Sequence, residues 1–69
     1  MATFEEKVGT NAGTVWSYLN DSGIKSVKDV KKACKLTDKD LYAALGWLAR
    51  EGKVTVTETE EEILLGLVW

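Results

Sequence analysis

The chain has 69 residues, of which 45% are hydrophobic, with nine cations against eleven anions for a net charge of −2, one cysteine and no histidine. At this length folding buries only about 60% of the surface of the unfolded chain, so a thin core is expected, and the ligand count excludes an intramolecular disulfide and a zinc site of the histidine–cysteine type. The slightly acidic balance argues against coating nucleic acid by bulk charge, and scattered lysines and surface acids without a histidine assemble no nucleophile, base and electrophile, so neither an enzyme nor a cofactor is expected.

Thr3-Phe4-Glu5-Glu6 has capping-box spacing, which starts a helix when the Thr hydroxyl accepts from the amide three residues on. Phe4, Val8, Ala12, Val15 and Leu19 then recur at helical spacing, Trp16 beside Val15 is expected in the core, and Gly23 supplies a left-handed stop. Gly9 and Gly13 interrupt this helix, each at about 1 kcal/mol relative to alanine. Either they let a bulky ring or a second helix approach the backbone, or the first turn frays and the firm helix begins near Asn11.

Ser26-Val27-Lys28-Asp29 opens a second, short helix to about Cys34, with Val27, Val30 and Ala33 or Cys34 turned inward. Cys34 reads as a small hydrophobe, since no imidazole is present to activate its thiol. Thr37-Asp38-Lys39-Asp40 caps a third helix with the apolar stripe Leu41, Ala44, Leu45 and Leu48, closed by Gly52. The tight link Lys35-Leu36 between the two gives the spacing of a helix-turn-helix.

After Gly52 the period changes to two: Val54 and Val56 alternate with Thr55 and Thr57 as a half-buried strand. Glu58 to Glu61 form a hairpin tip, and a last strand runs from about Glu62 to Trp69. Ile63, Leu65, Leu67 and Trp69 share one face of that strand; Leu64, Gly66 and Val68 share the other. Both faces are apolar, which predicts cover on both sides. The expected architecture is α+β, one domain over residues 1–69, a winged helix-turn-helix of three helices followed by a two-stranded hairpin. The opening Met-Ala-Thr-Phe-Glu-Glu has no basic n-region or apolar h-region, and no apolar run approaches the ~20 residues of a membrane span; a cytoplasmic protein that does not engage membranes is expected.

Asn11-Ala12-Gly13 with Val15-Trp16, and the run Asp40-Leu41-Tyr42-Ala43-Ala44-Leu45-Gly46-Trp47-Leu48-Ala49-Arg50-Glu51 with Lys53, resemble a family of small stand-alone bacterial winged helix-turn-helix proteins over nearly the whole chain. The resemblance implies the fold and brings neither a ligand nor catalytic residues. That family usually has glycine in the helix-turn-helix link. Lys35 stands there in this sequence, and a non-glycine residue in a left-handed conformation costs roughly 1–2 kcal/mol.

Charge is distributed unevenly: Lys25 to Lys39 carries six lysines against two aspartates, and Val54 to Trp69 carries four glutamates and no cation. Two functional readings follow. In the first, a DNA-binding winged helix, expected as a homodimer, meets phosphates with Lys28, Lys31, Lys32 and Lys35 and the groove with Lys39 and Arg50. In the second, Tyr42, Ala43, Gly46 and Trp47 of the third helix, with Trp69, contact a second copy or another protein. The third-helix face offers two cations, two very small residues and two aromatics, an odd surface for reading bases, and Glu58, Glu60, Glu61 and Glu62 at the tip disfavour a wing seated on phosphate. The alternative reading of those glutamates is that they keep an exposed strand edge soluble. No small-molecule substrate is indicated.

Overall fold

The computed structural model describes residues 3–68. The Thr3 hydroxyl accepts from the Glu6 amide at 3.1 Å and starts α1, Phe4–Ser22. The helix is therefore continuous from its first turn, and the frayed alternative is set aside. A Cβ at Gly9 would lie 3.9 Å from Cζ2 of the Trp47 ring, an ordinary van der Waals contact, whereas at Gly13 it would meet open space. Only the first of the two glycines has a ring over it. Phe4, expected on the buried stripe, is 70% exposed, and burial begins at Val8. At 1.5 Å per residue α1 is about 28 Å long and the third helix only about 20 Å, so the first turn of α1 overhangs the surface it packs on.

Gly23 ends α1 at φ 80° and ψ −154°, its amide donating to the Leu19 carbonyl at 2.8 Å. The chain then makes a two-residue strand, β1, Lys25–Ser26, and the Ser26 hydroxyl accepts from the Asp29 amide at 3.2 Å to begin α2, Val27–Cys34. Val30 is fully buried, and Cys34 rather than Ala33 turns toward the core. Burial pushes the Cys34 thiol up from its ordinary pKa, which keeps it protonated and a poor nucleophile.

Lys35 sits at φ 56° and ψ 44°, the left-handed conformation predicted for the link. The Leu36 amide reaches back to the Lys31 carbonyl at 3.1 Å, closing the helix in the Schellman manner. Replacing Lys35 with glycine removes a strain of about 1–2 kcal/mol and adds back about 0.5–1 kcal/mol of backbone entropy. Lys35→Gly is thus expected to raise stability by about 0.5–1 kcal/mol, seen as a higher urea midpoint with an unchanged slope; an unchanged or lower midpoint would show that the strain is relieved some other way.

The Thr37 hydroxyl caps α3, Asp38–Arg50, by accepting from the Asp40 amide at 3.2 Å. Leu41 and Ala44 are fully buried and Leu48 nearly so, as the stripe predicts. β2, Val54–Glu58, and β3, Ile63–Leu67, follow. Thr59 builds the tip between them: its hydroxyl accepts from the Glu61 and Glu62 amides at 3.3 and 2.9 Å and donates to the Glu62 carbonyl at 2.8 Å.

The sheet has three strands in the order β1-β3-β2, not the two expected. Lys25 and Ser26 pair antiparallel with Leu65 and Leu64; two residues are too few to leave a periodic signature in the sequence. β3 is consequently central, with Leu65 fully buried on its helix side and Ile63 and Leu67 packed against the same core. The expectation of cover on both faces holds in part: on the outer side Gly66 is buried and Leu64 half-buried, while Val68 is exposed. On the outer side Gly66 is shielded only by neighbours, since a Cβ there would lie 3.2 Å from Ile24 Cγ1 and 3.3 Å from Thr55 Oγ1, and Ile24 and Val68 are themselves exposed. Among the described residues no helix is long and apolar enough to cross a membrane.

Candidate functional site: the outer face of the third helix and its surroundings

With Leu41, Ala44, Leu45 and Leu48 buried, steps of about 100° per residue leave Lys39, Ala43, Gly46 and Arg50 along the outer line of α3. Ala43 is half-buried and the other three are exposed. Tyr42 and Trp47 stand on opposite flanks, about half exposed at 50% and 42%, and they meet different parts of the molecule.

Trp47 leans over Gly9 on the α1 side. There it lines a groove of about 400 Å³ with Gly13, Trp16 and Lys53, so part of its ring covers this chain rather than standing free. Trp16, expected in the core, is half-buried and forms another wall of that groove. The same flank is tied down by Lys7 Nζ, 3.6 Å from Asp40 Oδ2, a link between α1 and α3 that no sequence signal announces. A pair of this kind, with Lys7 exposed and Asp40 half-buried, contributes little stability, of the order of 0–1 kcal/mol.

Tyr42 faces the wing. It lines a cleft of about 290 Å³ with Val27, Ile63, Lys28, Asp38, Glu61 and Glu62. The first turn of α3 and the tip of the wing therefore meet in one recess, with Val27 and Ile63 beside three carboxylates and one ammonium.

Of the lysines expected to form a basic stripe, Lys28 and Lys32 of α2 and Lys35 of the link are exposed, and Lys31 is half-buried. Lys31 Nζ lies 2.8 Å from Asp38 Oδ1, so the stripe has one of its charges answered within the chain. Lys39 and Arg50 are exposed near opposite ends of α3. Trp69, the remaining residue of the expected contact set, lies outside the described residues. Among the described residues no group of three or more His, Cys, Asp or Glu side chains is placed to hold a metal ion.

A family model described as a winged helix-turn-helix domain (DUF2582) matches residues 3–67. The chain belongs to this family. The solution NMR structure of protein BT2368 from Bacteroides thetaiotaomicron is similar to it at 32% identity, with a TM-score of 0.83 over 94% of this chain and 79% of that one. Nothing among the curated proteins matches.

In winged-helix terms α2 and α3 are the helix-turn-helix, α3 stands in the recognition position, and β2 and β3 with the Thr59 tip are the wing. Winged helices that bind DNA lay the N-terminal residues of the recognition helix on base edges. In this member that end carries Asp38, Lys39, Asp40 and Tyr42, beside Glu61 and Glu62 of the wing.

Proposed function

We propose that this winged-helix domain recognises a protein through the outer face of α3, and that it does not read DNA sequence. The observation that carries this reading is the acidic cleft at Tyr42: a duplex seated on the first turn of α3 would bring phosphates toward Asp38, Glu61 and Glu62. Opposed like charges at ~4 Å cost about 1 kcal/mol each in water and more where solvent is excluded, and only Lys39, with no arginine, asparagine or glutamine, stands at that end to gain base contacts in return. Ala43 and Gly46 are low, and Tyr42 and Trp47 rise on either side of them. A partner helix or flat apolar surface can approach such a strip closely, with the aromatic rims supplying buried area. Trp69 belongs to the proposed contact as well.

The lysines of α2 and its link to α3 favour a second reading. Lys28, Lys31, Lys32 and Lys35, with Lys39 and Arg50, would meet the phosphate backbone without sequence preference. A titration of wild type with duplex DNA at ~50 mM salt, where counterion release helps most, separates the two. No shift is expected. Binding that weakens steeply with salt, and with a shallower slope in Lys28→Ala and Lys32→Ala, would replace the first reading with the second. The occupant of the α3 face is another protein or a second copy of the chain; if it is a second copy, sedimentation of Trp47→Ala will show lighter particles than wild type.

A further inference from the structure

We propose that β2 is a self-pairing edge: two copies of the chain join antiparallel along Val54–Glu58, about a two-fold axis at Val56, through the backbone groups of Val54, Val56 and Glu58. This surface is separate from the α3 face and does not depend on the function proposed for that face.

The ladder shows which backbone groups are free for this. Thr59 donates to the Glu62 carbonyl at 2.8 Å and Val68 to the Lys53 carbonyl at 3.1 Å, and in an antiparallel pair the bonded positions recur at every second residue. Thr55 and Thr57 therefore bond inward to β3, while the N–H and C=O groups of Val54, Val56 and Glu58 point away from it. β2 is an outer strand of the sheet, and among the described residues no strand lies on that side.

The devices that ordinarily blunt an edge are missing from the middle of this one. The register from Val54↔Leu67 to Glu58↔Ile63 runs without a bulge, the chain contains no proline, and charge appears only at the Glu58 end. Val56 lies on the helix side of the sheet, opposite Leu65, yet is 46% exposed. In the two-fold pair Val56 faces its own symmetry mate and Val54 faces Glu58, and about six backbone hydrogen bonds form.

Charge selects the direction. Glu58, Glu60, Glu61 and Glu62 gather at the tip, and the exposed Lys53 precedes the other end. A parallel pair would place both acidic tips together. The antiparallel pair sends them to opposite ends, each toward the partner's Lys53, and because both copies use the same edge the assembly closes at two. An interface of five residues a side falls below the size of permanent dimers, so association is weak and visible between about 10 µM and 1 mM.

Equilibrium sedimentation and amide exchange of the whole chain test this. The mass is expected to rise from 7.6 kDa toward twice that value with concentration, in wild type and in Trp47→Ala, and to stay at the lower value in Val56→Lys, which sets two ammonium groups on the axis. A mass fixed at one protomer throughout, or a rise that Val56→Lys leaves unchanged, overturns the proposal. Exchange read on wild type does not rely on that variant folding: the Val56 and Glu58 amides should slow at least several-fold from the lowest to the highest concentration while Thr55 and Thr57 keep the same rates. Equal rates at all four positions at both concentrations likewise overturn it.

Discussion

Leu41→Ala is expected to remove a large share of the stability of this fold. Leu41 is fully buried on the face of α3 that meets α1, in one cluster with Val15, Leu19, Val30 and Leu65. Truncating a leucine in such a position costs about 2–5 kcal/mol, the upper part of the range applying where neighbours cannot collapse into the space. At about 0.05–0.15 kcal/mol per residue, a chain of this length has only roughly 3–10 kcal/mol in all. Urea unfolding followed by circular dichroism should show a midpoint lowered by roughly a fifth or more, up to loss of the folded baseline. Lys39→Ala, on the outer line of the same helix, should stay within about 0.5 kcal/mol of wild type. A loss under about 1 kcal/mol for Leu41→Ala would mean that the stripe is not the centre of the core.

Gly23→Ala is expected to have the second largest effect, through the backbone. At φ 80° and ψ −154° this residue occupies a region that side chains other than glycine's hydrogen essentially never adopt, and forcing one there costs about 1–3 kcal/mol. Space is not the obstacle, because a Cβ at Gly23 would touch nothing within 4 Å; the strain is local. The melting temperature should fall by roughly 4–8 °C for each kcal/mol. The damage should be greatest at β1, which this turn delivers to β3, so the amide of Lys25, the β1 residue that bonds to β3 opposite Leu65, should exchange faster relative to those of α3. An alanine variant melting with wild type would show that the turn readily takes another shape.

Much of the architecture is legible in the sequence because it rests on local chemistry. Thr3, Ser26 and Thr37 each cap the helix their spacing announces, and Lys35 adopts the left-handed backbone that the link requires despite the residue type. The leucine stripe of α3 and the change of period after Gly52 place the core face and the wing. β1 is too short to leave a pattern, and Phe4 satisfies a helical pattern at a height where there is nothing to pack on. The apolar outer side of β3 suggests a covering layer, and its cover is partial: Ile24 and Thr55 shield Gly66, Leu64 is half-buried and Val68 is exposed.

The candidate site divides in the same way. Rotation about α3 put Lys39, Ala43, Gly46 and Arg50 outward and Tyr42 and Trp47 on the flanks, because helical geometry is local. What each flank meets was not legible. The closeness of Trp47 to Gly9, of Lys7 to Asp40 and of Tyr42 to Glu61 and Glu62 joins residues far apart in the chain.

By itself the sequence determined where each helix begins, which side of it is buried and where the wing starts, since caps, periods and turn residues act over a few positions. Only the tertiary structure decided that β3 lies between two strands, that the wing's carboxylates stand at the first turn of α3, and that β2 keeps an open edge. Those depend on how whole elements pack, and packing is a sum of weak contacts between distant residues that no short window of sequence contains.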